Sequence, residues 1–205
     1  MANSGVRDLR VRGPKVRDPG TGHQKGGTKQ KGKFYTIEMF DFVVPKDYRH
    51  DTCLTDLFER NIGRLRCDDP VVSDENYARV SCVLRPGQKL TAEILGIVDD
   101  QPEVTDHQCI EHLKTKKALF VGAQGLGVVW EAFSDRFPNL WVLSFDKPDR
   151  LWKCQMEKLR LPAIGRFDSM SHRINPVFFE HPRTPKLHAV LCVTRACVTR
   201  RQPSR

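Results

Sequence analysis

Residues 117 to 146, KALFVGAQGLGVVWEAFSDRFPNLWVLSFD, decide the reading of the fold. Ala118 to Val121 reads as a buried strand, Gly122 to Gly127 as a Gly-rich turn, Leu126 to Phe137 as a helix and Leu140 to Phe145 as a second buried strand. This is the pattern of a β-α-β unit. A right-handed crossover through the helix would make the two flanking strands parallel.

Two readings of the turn compete. The dinucleotide-binding fingerprint needs glycine at its first, third and sixth positions and an acid about 20 residues on. Gly122 and Gly127 fit the first and last, Gly125 offers a displaced third glycine, and Asp146 stands near the place of the acid. The third position, however, is Gln124, where a missing side chain normally lets backbone approach the pyrophosphate. The alternative is that the glycines let a helix pack closely on its neighbours, and we prefer it. If a nucleotide did bind, Gly122, Gly125, Gly127 and Asp146 would hold it.

Outward from this unit the chain alternates. FYTIEMFDFVV before Pro45 reads as a strand, Leu54, Leu57, Phe58, Ile62 and Leu65 recur at helical spacing, and Ser73-Asp74-Glu75 opens a second helix reaching Leu84. KLTAEILGIV, Lys89 to Val98, alternates as a strand, and Thr105 with Gln108 forms a capping box before a third helix. Leu151 to Leu161 is ambiguous between a short helix and a hairpin, and Pro162 ends the clear pattern. The expectation is one α/β or α+β domain over residues 34–161, with a mixed sheet of about four strands. A basic, poorly patterned tail is expected over residues 162–205, within which Leu187 to Val198 reads as an unpartnered strand.

Charge is uneven. Residues 1–33 hold nine Lys or Arg against Asp8 and Asp18, a net of +7, and residues 161–205 carry +6, so a chain of +9 has a centre of −4. The first 33 residues hold seven of the fourteen glycines and show no sustained apolar period, as expected of a disordered arm. Its Arg7, Arg10, Arg12, Lys25, Lys29, Lys31 and Lys33 suit loose contact with RNA or another polyanion. A basic face on the domain itself is not expected.

Several classes fall away. No Gly-Lys-Ser/Thr triplet marks a P-loop, and no Gly-x-Ser-x-Gly elbow occurs. His107, Cys109 and His112 share a helix, but too few of them share a face for a closed zinc site, so neither metal nor cofactor is expected. Seven scattered cysteines, an odd number without a C-x-x-C pair, suit reduced thiols and a cytoplasmic setting, and no run suits a membrane span. The leading expectation is a noncatalytic binding protein, with a nucleotide-binding enzyme or sensor and a protein-interaction module as alternatives.

FVVPKDYRHDT, SDENYARV, LRPGQKL, FVGAQGLGVVWE and VLSFDKPDRLW, as an ordered set, resemble a group of proteins from small-genome candidate-phylum bacteria. The resemblance spans about Phe34 to Leu161 and implies no activity, ligand or catalytic residue. Members continue with an acidic segment, whereas this chain ends in RACVTRRQPSR, as a shifted reading frame late in the gene would produce.

Overall fold

The computed structural model describes residues 32–49, 54–100 and 103–196. Its framework is a sheet of eight strands: β1 (Phe34–Val43), β2 (Leu65–Arg66), β3 (Lys89–Ile97), β4 (Trp141–Leu143), β5 (Trp152–Lys153), β6 (Leu159–Arg166), β7 (His172–Phe178) and β8 (His188–Arg195). The spatial order is β1-β3-β8-β4-β6-β7-β2, with β5 paired to β6 off this path. The β8–β4 and β7–β2 pairs are parallel and the others antiparallel, so the sheet is mixed.

The expected count of four strands is corrected to eight, and with it the expected end of the domain at residue 161. β6, β7 and β8 all lie beyond or across that point, and β8 sits between β3 and β4 with Ala189 to Val193 buried. Pro162 does not end the order. It is the Cα partner of Pro176, its carbonyl accepts the Ser144 N–H at 3.0 Å, and Pro176 lies on a part of β7 that β2 does not reach. Prolines are tolerated where no ladder donor is required.

The β-α-β unit is corrected too. Residues 118–121 form no strand; Leu119 makes a single antiparallel bridge to Val193 of β8, along which β4 runs parallel. The two flanks therefore run in opposite senses along the same strand.

Helices α1 (Leu54–Arg60), α2 (Asp74–Ala78) and α4 (Gly122–Phe133) share a core with one sheet face, around Leu57, Leu126, Trp130, Trp152 and Ile164. Helix α3 (Asp106–Thr115) packs on a second core of Leu95, Ile97, Leu143, Leu161 and Val190. Alternation along β3 feeds both cores, with Ile94 in the first and Leu95 in the second. Local signals hold where they are strong. Thr105 and Gln108 make the reciprocal capping box of α3, and the Ser73 hydroxyl accepts the Asn76 N–H at 3.3 Å. Helix α2 stops at Ala78 rather than Leu84, and the Leu151 to Leu161 segment resolves as the β5–β6 hairpin.

Candidate functional site

Gly122 to Gly127 is not a turn ahead of a helix but the first turns of α4, and all six of its residues are buried. Gly122 has φ +53°, and a Cβ there would stand 2.6 Å from Asp146 Oδ2. Both the backbone conformation and the close approach require glycine. Gly125 donates its N–H to Val121 O at 3.0 Å, and a Cβ on Gly127 would meet the Tyr77 hydroxyl at 2.6 Å.

The structure thus brings Gly122 and Asp146 together, with the carboxyl group beside the first residue of α4. Asp146 accepts N–H groups from Ser81 at 3.0 Å and Lys147 at 2.7 Å. Burial raises its pKa above the ordinary carboxylate value despite these donors. A phosphate approaching this helix end would meet the Asp146 side chain first. The arrangement favours packing as the role of the glycines.

Gln124 faces the opposite way, into a cleft of about 320 Å³ over α4. The cleft runs between Pro45 to Arg49 after β1 and the side chains of Arg60, Tyr77, Val128 and Glu131. The Tyr48 hydroxyl donates to Gln124 Oε1 at 3.0 Å, and burial pushes its phenol up to about 12, so Tyr48 is a neutral donor. Glu131 is held by Arg60 at 3.1 and 3.2 Å and by Asn61 at 2.7 Å.

A basic and aromatic cluster lies at the β6–β7–β2 side of the sheet. Arg66 and Arg173 are Cα partners in paired strands. The Arg173 guanidinium lies 4.0 Å from the centre of the Phe167 ring and that of Arg66 lies 5.8 Å away. Asp68 pairs with Arg173 at 2.9 Å. The Asp168 carboxylate turns back onto its own loop, accepting the Met170 and Ser171 N–H groups and the Ser171 hydroxyl. These bonds hold the Asp168 pKa below the ordinary value and fix the turn that presents Phe167. Arg160 similarly lies 3.2 Å from the Phe178 ring centre.

Of the basic residues expected to touch a polyanion, Arg7, Arg10, Arg12, Lys25, Lys29 and Lys31 lie outside the described residues. Lys33 immediately precedes β1, its carbonyl accepting the Val98 N–H at 3.0 Å. His107, Cys109 and His112 do not converge: His107 meets the Phe179 ring edge, His112 stacks on Phe34 and Cys109 is buried. Among the described residues no cluster of three or more His, Cys, Asp or Glu side chains is placed to hold a metal ion, and no helix is long and apolar enough to cross a membrane.

Sequence reasoning missed both the Tyr48–Gln124 cleft and the Arg66–Arg173–Phe167 cluster. The second had a readable signal, since F-D-S-M-S between Ile164 and Ile174 has the composition of a hairpin turn. Comparison with family models, curated proteins and solved structures finds no match, so function is argued from geometry.

Proposed function

We propose that this chain is a noncatalytic binding protein that engages RNA or another polyanion electrostatically. The supporting observation on the domain is the Arg66–Arg173 pair on Phe167. Like charges opposite each other on paired strands are unfavourable; Asp68 pairs with Arg173, whereas Asp168, the acid that acts on Arg66, is already bonded to its own loop. Phosphates laid across both guanidinium groups would relieve that repulsion. Arg64, Arg166 and Lys186 add exposed positive charge at this end of the sheet. The +7 arm supplies the second, sequence-tolerant set of contacts.

A salt titration of RNA binding tests this with the full chain and two charge-neutralised variants. One carries Lys25→Gln, Lys29→Gln and Lys31→Gln, the other Arg66→Gln and Arg173→Gln. Each phosphate contact removed should flatten the slope of log K against log salt by about 0.7 for a single strand. Unchanged slopes in both variants would remove the proposal.

A further inference from the structure

Strand register extends the arginine pair into a row across one sheet face. Trp141 pairs with His188, Gly165 with Arg173, and Arg173 with Arg66. Val142 opposite Ile164 in the antiparallel β4–β6 ladder sets Trp141 beside Gly165. A Cβ on Gly165 would stand 2.6 Å from the indole, so the missing side chain is what lets Trp141 lie across β6. Beside it is a recess of about 200 Å³, lined by Asn139, Trp141, Arg166 and Lys186 among others. Phe167, 47% exposed, stands at the far end of the row beneath the two arginines.

We infer that this face binds single-stranded polynucleotide, one base stacking on Trp141 in the recess and another on Phe167, with Arg66, Arg173 and Lys186 on the phosphates. The inference rests on the polyanion reading above and goes beyond it in naming the partner. Two features select it. Every base has a π-face, so the half-buried Trp141 and the exposed Phe167 beside cations accept a strand of any sequence. The two rings also stand on neighbouring strands, Trp141 on β4 and Phe167 just past the end of β6. In a duplex the base faces are covered by neighbouring pairs, so stacking on both rings requires an unstacked strand. Asn139 in the recess offers an amide to a base edge.

Tryptophan fluorescence reads this directly. Of the three tryptophans, Trp130 and Trp152 are 0% and 1% exposed, leaving Trp141 as the one a ligand can reach. A uridine dodecamer added to the full chain should quench the emission as it binds, and Trp141→Phe should abolish the quenching while keeping most of the affinity. Phe167→Ala, a change at a half-exposed loop residue, should weaken binding of the dodecamer about tenfold while leaving heparin affinity within about twofold. A thymidine dodecamer run in parallel identifies the preferred sugar. Binding without any change in emission, an equal loss for heparin and RNA in Phe167→Ala, or tighter binding of duplex or of an acidic protein would each overturn the inference while leaving the polyanion reading intact. Failure of heparin and RNA alike to bind would remove both.

Discussion

Arg183 and Asp106 form a two-point ion pair closed off from solvent, with Nε to Oδ1 and Nη2 to Oδ2 both at 2.7 Å and side chains 1% and 0% exposed. Asp106 opens α3, where its charge favours the helix dipole, and it also accepts the Glu180 N–H at 2.7 Å. Reciprocal backbone bonds between Val104 and Arg183 close the same junction. The pair therefore clamps the segment between β7 and β8 to the start of α3. Arg183→Met would leave the Asp106 carboxylate buried without its counter-charge, which costs about 3 to 5 kcal/mol in such sites. Urea denaturation should show that loss, and Asp106→Leu combined with Arg183→Met should lose less than the sum of the two single changes.

Gly122→Ala should destabilise more than an ordinary helix substitution. Alanine normally gains about 0.5 to 1 kcal/mol over glycine inside a helix. At φ +53°, with Asp146 Oδ2 2.6 Å from the new methyl, the sign reverses and a loss of about 1 to 3 kcal/mol is expected. Thermal melting checks this; a melting temperature at or above wild type would show that neither constraint operates.

The same geometry predicts that NAD, ATP, GTP and S-adenosylmethionine leave the melting temperature unchanged. A nucleotide at 100 times its dissociation constant would add about 2.7 kcal/mol of stability, readily visible in a thermal-shift screen. A shift that survives Asp146→Asn but is lost in Gln124→Ala would place the ligand in the Tyr48 cleft instead.

Legibility in the sequence followed range of interaction. The Thr105–Gln108 box and the Ser73 cap involve residues three apart, and both form as read. The Gly-rich stretch was misread because glycine disfavours helices by propensity, whereas here contacts with Val80, Tyr77 and Leu57, distant in sequence, decide the conformation. Basic residues and prolines mask the pattern of β6 and β7, and β8 is legible as the strand expected within Leu187 to Val198 but without a partner. What orders them is pairing with β3 and β4, as in Cys192 opposite Glu93, and no local pattern reports a partner one hundred residues away. For the site, the fingerprint groups Gly122 with Asp146 as nucleotide ligands and the structure sets the two side by side, whereas the arginine pair depends on the two-residue β2, too short to leave a period.

Stability should fall as pH drops below 6.5. His112, His172 and His188 all have pKa values lowered from 6.5, in each case chiefly by burial. His172 packs edge-on to Trp130 and Phe137; Arg166 and Arg64 lower it further, while Asp135 and Asp168 act weakly the other way. The unfolded chain thus binds protons that the folded state refuses. The stabilising contribution is complete above 6.5 and is lost as pH falls from there toward the depressed folded values, at up to about 1.4 kcal/mol per pH unit for each histidine. Asp146, with its raised pKa, has the opposite sign: its contribution is present below 3.8 and is lost as pH rises through the folded value. The difference between wild type and His172→Gln isolates one histidine from these other groups. Urea midpoints at pH 7.5 and 5.5 should fall less steeply in His172→Gln than in wild type, and parallel losses in the two proteins would show that His172 keeps an ordinary pKa in the fold.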